Sequence, residues 1–510
     1  MKSVDNTQEL QAIIAKQSEE IAVLKQQVDW FKRQIFGRKS EKQLFDNPAQ
    51  GDLFADAPTE EKQPPKTTPV EAHQRRQKNK SDTDVNDTGL RFDESVPQKV
   101  IELEAPELQG DNADAYEIID YKETHRLAQQ PGAYVVLVYR RPVVRHKASE
   151  TLSTTAAPTN VLDGCYADVS LLAGMLTDKF LYHLPLYRQH QRLTDAGITL
   201  SRGSLTHWIQ RAIDLLTPIY NAQRKHILQS KTLAMDEVPI KAGRKQKGKM
   251  KQTWYWPIYG DQHEIDFTWS TSRGRQHVLD QLKGFKGTLL TDGYAAYSKG
   301  VAQLNAKEKT VHHANCWAHC RRAFEKALKM EPLDAQVALD FIAALYKNEA
   351  YIRDKDFDEQ KALQYRQTHS EPVIGEFFAW VYQQRQRTDF LPSNPLAKAL
   401  TYAHDRQTEL KVFLTNPHVA IDTNHLERAL RVIPMGRKNY LFCWSEMGAK
   451  QVGIIQSLLV TCRLQGVNPY RYLVDVLQRI SLHPASKVHE LTPRLWKEHF
   501  AENFFTSDLD

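Results

Sequence analysis

The alternation of short apolar runs between residues 232 and 316 limits the possible folds of this chain more than any other feature. TLAMDEVPI, TWYWPIYG, EIDFTWSTS and GTLLTDGY are rich in β-branched and aromatic residues, which predicts four strands. GRQHVLDQLKGF, between the third and fourth runs, has a helical pattern, and KTVHHANCWA predicts a fifth strand that leads into a helix. Three strands joined by tight turns, followed by helix, strand, helix and strand, predict a mixed sheet in an α/β protein.

Three acidic residues occupy unusual positions for their type. Asp236 lies within an apolar strand, Asp292 ends another, and Glu427 lies at the start of a predicted helix. A carboxylate at an otherwise buried strand position is unfavourable unless it is paired or bound to a metal ion. Neighbouring strands would bring the two aspartates side by side, where Mg²⁺ (or Mn²⁺) relieves their repulsion through hard oxygen ligands. Two such ions clamp the attacking and leaving oxygens of a phosphodiester, which is the chemistry of a ribonuclease H-like site.

Each of these acids also has a structural interpretation. Among 62 acidic residues, some set of three always looks suggestive. Asn424 and Glu427 are three positions apart, a spacing that also fits a helix N-cap with its capping-box partner. Glu237 points away from Asp236 by strand alternation, which favours a structural role for Glu237.

The first 150 residues fall into segments of different character. In residues 1–44, apolar residues recur every seven positions from Ile14 to Ile35, which predicts a self-associating coiled coil or a helix docked on the same chain. Residues 45–89 are rich in Pro, Gln, Thr and Lys, which predicts a disordered linker. Residues 90–150 contain VVLVYRRPVVRHK, which predicts a small β-rich module.

Residues 165–230 have a helical pattern, and two of the predicted helices resemble a helix-turn-helix. One helix closes at Ala196 and Gly197, and the next opens at Ser201. Plain packing of a helical hairpin is the alternative interpretation. The candidate DNA contacts on the exposed side of the second helix are Arg202, His207 and Gln210.

Two further basic clusters are candidate phosphate contacts. KAGRKQKGKMK has six cations in eleven residues between the first two predicted strands, which is too much charge for a packing element. The second cluster follows Glu427. The candidate contacts are Arg244, Lys245, Lys247 and Lys249 in the first cluster and Arg428, Arg431, Arg437 and Lys438 in the second. The aromatic run Trp254–Trp256 is predicted to lie in the core rather than to stack on bases.

Composition excludes several classes of protein. With 68 Lys and Arg against 62 Asp and Glu, the chain carries a net charge of only +6, so any nucleic-acid binding must come from local patches. Five cysteines, an odd number, argue against a disulfide framework and for a reducing cytoplasm. Because the sequence has neither a long apolar run nor a signal-peptide pattern, we expect a cytoplasmic protein without membrane segments.

Five motifs in order resemble the transposases of IS66-type bacterial insertion sequences, which belong to the DDE group with a ribonuclease H-like fold. They are FGRKSEK at 36–42, MDEVPI at 235–240, TDGYAAY at 291–297, NCWAHCRRAF at 315–324, and DTNHLERALR with GRKNYLF between 422 and 442. The resemblance implies that Asp236, Asp292 and Glu427 are a catalytic triad that binds two metal ions.

The same resemblance implies a domain organisation for the rest of the chain. It places the catalytic core in residues 231–325 and 416–480. A helical insertion at 326–415 separates these two parts, and a tail at 481–510 follows them. The small β-rich module then stands where the family usually has a zinc-binding module. Residues 90–150 contain no cysteine, so that zinc site is absent here.

The activity implied by the resemblance is metal-dependent cleavage at the ends of an element and strand transfer into target DNA. Its implied partners are the terminal inverted repeats, the target DNA, further copies of the chain, and small accessory proteins of the same element. A nucleoid-associated location in a bacterium follows. The alternatives are a ribonuclease H-like nuclease without strand transfer and a domesticated protein that only binds DNA.

Two smaller features complete the comparison with the family. Cys316 and His319 look like the C/D-x-x-H motif of several DDE families, which implies a structural or substrate-positioning role. Their spacing with neighbouring histidines is not that of a standard zinc finger, so we do not expect zinc. Trp444, Ser445 and Glu446 stand where the family usually has Gly-Ser-Asp.

Overall fold

The structure is a mixed α/β arrangement in which strands and helices alternate along the chain. The computed structural model describes residues 91–509, apart from residues 93, 95, 110–112, 131, 247 and 307–309. The predicted coiled coil at 1–44 and the predicted linker at 45–89 lie outside the described residues. Within them, we find no helix whose length and apolar character would suit it to crossing a membrane.

The described strands form three sheets. The strands are β1 (Arg91–Phe92), β2 (Gln98–Glu102), β3 (Tyr116–Gln130), β4 (Ala133–His146), β5 (Leu152–Thr154), β6 (Ile198–Thr199), β7 (Thr232–Met235), β8 (Val238–Gln246), β9 (Lys249–Gly260), β10 (Ile265–Ser270), β11 (Gly287–Thr291) and β12 (Val311–Asn315). Asp236 and Asp292 directly follow strands of the sheet formed by β7 to β12.

Helices fill most of the remaining chain. The described α-helices are α1 (Val169–Phe180), α2 (Leu186–Asp195), α3 (Arg202–Leu215), α4 (Thr217–Ile227), α5 (Arg275–Gln281), α6 (Ala295–Asn305), α7 (Trp317–Ala327), α8 (Pro332–Asp354), α9 (Glu359–Tyr365), α10 (Glu371–Arg385), α11 (Pro395–Asp405), α12 (Gln407–Leu410), α13 (Asn424–Leu430), α14 (Val432–Tyr440), α15 (Glu446–Leu464), α16 (Pro469–Arg479) and α17 (Pro493–His499).

The central sheet has the strand order β10-β9-β7-β11-β12, and β8 pairs with β9 beside β7. Strand β9 runs antiparallel to β7 and β10, whereas β11 runs parallel to both β7 and β12. In the register of the parallel pair, Ala234 lies opposite Leu290. This confirms the prediction of a mixed sheet in which the strands that lead to Asp236 and Asp292 are neighbours.

One predicted strand is divided in two. TLAMDEVPI was predicted as a single strand, but β7 ends at Met235 and β8 begins at Val238. The strand is interrupted at Asp236 and Glu237, whose ionisable side chains are largely buried. Glu237 bonds Tyr297 and Arg273 on one side of the sheet, so regular pairing stops where these polar side chains are accommodated.

The alternating side chains of the central strands enter different cores. Leu233 and Met235 pack with Trp256 against α5 and α6, whereas Ala234 and Tyr255 face α13 and α15. Tyr255 and Trp256 are fully buried, as predicted for the aromatic run of β9, and Trp254 is half-buried. The face of Ala234 is also the face on which Asp236 follows two residues later.

Helices α7, α8, α10, α11 and α12 build a core of their own around Trp317, Phe324 and Phe377. Leu290 of β11 and Ala314 of β12 belong to the same core. Residues 326–415, which were predicted to form a helical insertion, are thus mostly helical, and they share a core with β11 and β12.

The β-rich segment and the first helices share one core with the C-terminal helices. Leu127 and Val136 of the β-rich segment pack in the cluster that also contains Leu172 of α1, Leu458 of α15 and Leu473 of α16. The edge strand β1 also pairs with β6, between α2 and α3. Residues 90–150 are thus strand-rich as predicted, and they are joined to the helical region by this shared core.

The predicted helix pair has the expected boundaries. Helix α2 ends at Asp195, and Gly197 takes a φ of +79° in the turn after it. Helix α3 begins at Arg202, and the Ser201 hydroxyl accepts the N–H of Ser204 at 3.0 Å, which caps it. Local signals of capping and turn formation therefore determine this part of the fold.

Candidate active site

Asp236 lies at the end of β7 as a largely buried carboxylate. Its backbone N–H donates to Pro257 O at 3.3 Å, and its Oδ1 accepts the N–H of Glu237 at 2.7 Å. Burial raises the pKa of Asp236 to about 8, aided by the charges of Glu237, Asp292 and Glu427 and partly offset by the Glu237 N–H. Three acids therefore act on one buried carboxyl, and no cationic side chain pairs with it among the described residues.

Glu237, the next residue, has its own partners. Its carboxylate accepts the Tyr297 hydroxyl at 2.5 Å and the Nε–H of Arg273 at 2.8 Å. Burial raises the pKa of Glu237, and the bonds from Tyr297 and Arg273 act in the opposite direction. These contacts match the structural role predicted for Glu237.

Asp292 begins the turn after β11, and side chains at the C-terminal end of α11 bond the backbone of this turn. Asp292 Oδ1 accepts the N–H of Tyr294 at 2.8 Å. Tyr402 of α11 donates its hydroxyl to Asp292 O at 2.5 Å, and Arg406 donates Nη2–H to Gly293 O at 2.8 Å. The Arg406 guanidinium also stacks on the Tyr402 ring, 4.1 Å from its centroid. Two adjacent side chains thus hold two consecutive carbonyls beside the acid.

Glu427 lies in the first turn of α13 and lines a cleft between β7, α7 and α13. Its Oε2 lies 3.4 Å from Nη2 of Arg322, and its Oε1 lies 3.7 Å from Nε2 of His319. The Oε1 atom is buried and has no hydrogen-bond partner. Burial lowers the pKa of His319, while Asp292 and Glu427 act to raise it. Glu427 is therefore held only by long contacts.

The alternative in which Asn424 and Glu427 form an N-cap and capping box is wrong. Thr423 occupies the N-cap position of α13 and makes no side-chain capping bond, whereas Asn424 is already helical. Asp422 takes over this function, since its Oδ1 accepts the N–H of Asn424 at 3.0 Å. The Glu427 carboxylate therefore takes no part in capping α13 and lies in the cleft instead.

Cys316 links the elements that carry the second and third acids. Its N–H donates to Thr291 O at 2.9 Å, and its buried Sγ accepts both the N–H and the hydroxyl of Thr423 at 3.3 Å. Burial raises the pKa of the Cys316 thiol. The two residues predicted to have structural or positioning roles therefore lie in different places. Cys316 is buried between the elements that carry Asp292 and Glu427, whereas His319 lines the cleft beside Glu427.

The cleft between β7, α7 and α13 has a volume of about 400 Å³. Its lining combines two of the acids with basic and amide side chains. The lining residues are Asp236, His319, Arg322, Asn424, Glu427, Arg428, Leu430 and Arg431. A cavity lined by carboxylates and arginines suits a phosphate ester better than an apolar ligand.

The acids fit a hard divalent cation by their chemistry, although their side chains do not form a closed ligand set. Among the described residues, no group of three His, Cys, Asp or Glu side chains is arranged to hold a metal ion. Asp236, however, is a buried carboxylate surrounded by negative charge, and Glu427 presents a buried oxygen without a partner. Oxygen donors of this kind are the ligands that Mg²⁺ and Mn²⁺ prefer.

The candidate DNA contacts lie on three surfaces. On α3, Arg202 and His207 are exposed and Gln210 is half-buried. At the tip of the β8–β9 hairpin, Arg244, Lys245 and Lys249 are exposed, whereas Lys247 lies outside the described residues. Behind Glu427, Arg428, Arg431 and Lys438 are exposed. Arg437 is half-buried and donates Nη1–H to Pro239 O at 2.6 Å, which ties α14 to β8.

Sequence reasoning missed the residues that arrange the acids. Tyr402 and Arg406 lie more than a hundred positions after Asp292, in a helix with no unusual local pattern. Arg322 lies in the motif NCWAHCRRAF, and nothing in the local sequence indicates its pairing with Glu427. Gly293 was the one local signal, since it follows Asp292 and takes a φ of +85° in the structure.

Comparisons with known proteins give consistent results along the chain. The family model described as "Transposase IS66 family" matches residues 164–451, and "IS66 C-terminal element" matches residues 457–494. A third model, "Transposase C of IS166 homeodomain", matches residues 23–86.

Three proteins of Sinorhizobium fredii are similar over most of their lengths. The chain is 29% identical to the uncharacterized protein y4qI over 413 residues, or 78% of this chain and 75% of that protein. It is 31% identical to the uncharacterized protein y4jD over 355 residues, or 67% of this chain and 68% of that protein. It is 27% identical to the uncharacterized protein y4hP, with 73% of this chain and 70% of that protein covered.

Proposed function

Since the chain belongs to the IS66 family of transposases, we propose that it cuts and joins DNA at a DDE-type centre formed by Asp236, Asp292 and Glu427. The single observation that carries this proposal is the closeness of the three acids: Asp236 and Glu427 line one cleft, and the charges of Asp292 and Glu427 both act on Asp236. The proposal is supported by the sheet, in which the neighbouring parallel strands β7 and β11 lead to Asp236 and Asp292, and by α13, from which Glu427 lines the same cleft as Asp236.

The topology supports a ribonuclease H-like core. The interrupted strand β7–β8 and the strands β9 and β10 form the antiparallel part, and β11 and β12 follow parallel to β7, each preceded by a helix. In this proposal, residues 231–325 and 416–480 form the core, and residues 326–415 form an insertion that supports Asp292 from outside the sheet.

Asp236 and Asp292 would hold two Mg²⁺ ions, or Mn²⁺, with Glu427 completing the charge of the site. When bound there, Mg²⁺ supplies Lewis acidity and a template for in-line displacement at phosphorus. Asp236 would give up its proton on binding a cation, because burial and the neighbouring acids raise its pKa to about 8.

The remaining residues of the cleft would bind and orient the DNA strand. Arg428 and Arg431 line the same cavity as Glu427 and carry exposed guanidinium groups that suit phosphate oxygens. Arg322 pairs with Glu427 at 3.4 Å, so an incoming phosphate competes with the carboxylate for this arginine. No nucleophilic side chain is required, since water and then a DNA 3′-hydroxyl attack the phosphodiester.

Incubation of the full chain with a labelled duplex from an element end, with Mg²⁺ or with EDTA, tests this function. We expect nicking and joining with Mg²⁺ and neither with EDTA. Nicking without joining would favour the nuclease without strand transfer. Binding without cleavage under all conditions would favour a protein that only binds DNA.

The proposal includes self-association, because both ends of an element must be brought together. We predicted a coiled coil at residues 1–44, which lie outside the described residues. Deletion of residues 1–36 is expected to lower the molecular mass measured by light scattering. An unchanged mass would reject the coiled coil as the association element. Accessory proteins of the same element are further proposed partners.

A further inference from the structure

An exposed apolar surface lies between α14 and α15, beside the basic hairpin. Leu441, Trp444 and Met447 are 63%, 67% and 61% exposed. Single exposed apolar side chains are ordinary, but three large ones within one short segment mark a surface used for binding. We call these three residues the Trp444 surface.

The backbone beneath this surface is firmly held. The N–H of Cys443 donates to Lys241 O at 2.9 Å, and the N–H of Gly243 donates to Cys443 O at 3.1 Å, so the segment runs along β8. Ser445 then caps α15 by accepting the N–H of Gly448 at 2.9 Å. Leu441 takes a φ of +65°, a conformation that a branched side chain rarely adopts. Hydrogen bonds therefore hold the backbone that carries Trp444, so little conformational entropy is lost when a ligand binds there.

The charge around the Trp444 surface is positive. The guanidinium of Arg244 lies 5.5 Å from the centroid of the Trp444 ring, and Lys245 and Lys249 are exposed on the same hairpin. Glu446 is the neighbouring acid, and it is paired with Lys251 at 2.6 Å. Arg244, Lys245 and Lys249 form no ion pair with any residue that the structure describes, and an exposed indole bordered by such cations is the combination that proteins use for single-stranded nucleic acid.

We propose that Trp444 stacks on an unpaired base of DNA, while Arg244 and Lys245 contact the phosphates of the same strand. A closed duplex offers no free base face, whereas a cut or frayed end does, so the ring distinguishes opened DNA from intact duplex. This inference rests on the proposed function, because cleavage creates such ends. It is particular to this chain, since Trp444 stands where the family resemblance gives glycine.

A second copy of the chain is the competing occupant of the surface. Charge argues against it, because two copies related by symmetry would bring the same cationic hairpins together. DNA, in contrast, is attracted by both groups, because a base stacks on the Trp444 ring and the phosphates contact the cations of the hairpin.

The test compares a fluorescein-labelled duplex that carries a single-stranded 3′ tail of thymidines with the same duplex made blunt. Anisotropy titrations use the full chain as wild type, Trp444→Ala, Trp444→Phe and Leu482→Ala. Leu482 is 76% exposed at the end of α16 and controls for loss of an exposed apolar side chain.

We expect the wild type to bind the tailed duplex more tightly than the blunt one. Trp444→Ala should lose about tenfold in affinity for the tailed duplex and little for the blunt one, because stacking on a single base is lost. Trp444→Phe should retain most of the preference, and Leu482→Ala all of it. Because Trp444 is exposed, its truncation should leave the thermal unfolding temperature unchanged.

A salt titration separates the ring from the cations. Arg244→Gln should reduce the slope of log K against log salt by about one, whereas Trp444→Ala should leave the slope unchanged. This difference would support the assignment of the phosphate contact to Arg244 and of the base contact to Trp444.

Several results would overturn the inference. Equal affinity of the wild type for tailed and blunt duplexes, or an equal loss on both in Trp444→Ala, would reject base stacking while leaving the transposase proposal intact. Unchanged DNA binding with a lower molecular mass of Trp444→Ala would assign the surface to a second copy. If the wild type neither binds nor cleaves DNA, the proposed function and this inference both fail.

Discussion

Asp292 and Glu427, on either side of Asp236 in the proposed site, are held very differently. On one side, Tyr402 and Arg406 bond the carbonyls of Asp292 and Gly293 at 2.5 and 2.8 Å. On the other side, Glu427 has contacts of 3.4 and 3.7 Å with Arg322 and His319, and one buried oxygen without a hydrogen-bond partner. The Asp292 turn is therefore fixed in advance, whereas Glu427 is able to turn towards a cation or an incoming strand.

This difference indicates a role for the helices of residues 326–415 in the proposed site. Preorganised ligands bind metal ions with less reorganisation, and the groups that orient them contribute to affinity. In our account, the insertion supports the Asp292 side of the site, and the third acid completes it when ligands arrive. The following predictions test this difference, from the largest effect to the smallest.

Asp292→Asn should have the largest effect on activity. The substitution keeps the shape of the side chain but removes a charged metal ligand, so cleavage should fall by at least about 10²- to 10³-fold. Binding of the same duplex should be retained or strengthened, because repulsion of phosphate is lost. Cleavage at the wild-type rate would remove Asp292 from the proposed triad.

Gly293→Ala should destabilise the turn that follows Asp292. Gly293 has a φ of +85°, and an added Cβ would lie 2.4 Å from Nε of Arg406. Unfolding in urea should show a loss of about 1–3 kcal/mol. Gly375→Ala is the control: it lies in α10 with open space around its Cβ position, so alanine should be neutral or stabilising there. Equal stability of Gly293→Ala and wild type would contradict the described turn.

Tyr402→Phe should weaken cation binding without unfolding the protein. The variant removes the hydroxyl that donates to Asp292 O and keeps the ring under Arg406. The Mg²⁺ concentration for half-maximal cleavage should rise about tenfold, as for other residues that orient metal ligands.

Tyr382→Phe provides the matched control for this prediction. Tyr382 also lies in the helical insertion and also donates its hydroxyl, but to Gln407. Its loss should leave the Mg²⁺ requirement unchanged. An equal shift in both variants would mean that the insertion acts through general stability rather than through Asp292.

Arg322→Gln should have the smallest effect on the arrangement of the acids. The pair with Glu427 is long, and the Arg322 side chain is 49% exposed, so the contact contributes little. We expect a change of about threefold or less in the Mg²⁺ requirement. A shift as large as that of Tyr402→Phe would show that the Glu427 side is as rigidly held as the other.

The sequence predicted the parts of the fold that depend on local patterns. The strands leading to Asp236 and Asp292 are recognisable apolar runs, and the capped start of α3 follows from Ser201. The neighbouring placement of β7 and β11 follows from the order of strands and helices. These features depend on residues that are close in sequence.

The arrangement around the acids depends on contacts across long stretches of chain, which no local pattern encodes. Tyr402 meets Asp292 across 110 positions, and Arg322 meets Glu427 across 105. The break between β7 and β8 likewise depends on the burial of Glu237 against Tyr297. Composition and periodicity could identify the acids but not the groups that hold them.

The most direct test of the central claim is to count bound ions without relying on catalysis. Mn²⁺ bound to the full chain, in the presence of duplex DNA, is titrated by electron paramagnetic resonance for wild type, Asp236→Asn and Asp292→Asn. Our account predicts two ions per chain in the wild type and a loss of at least one in each variant. The same number of ions in all three proteins would contradict a metal centre at these acids.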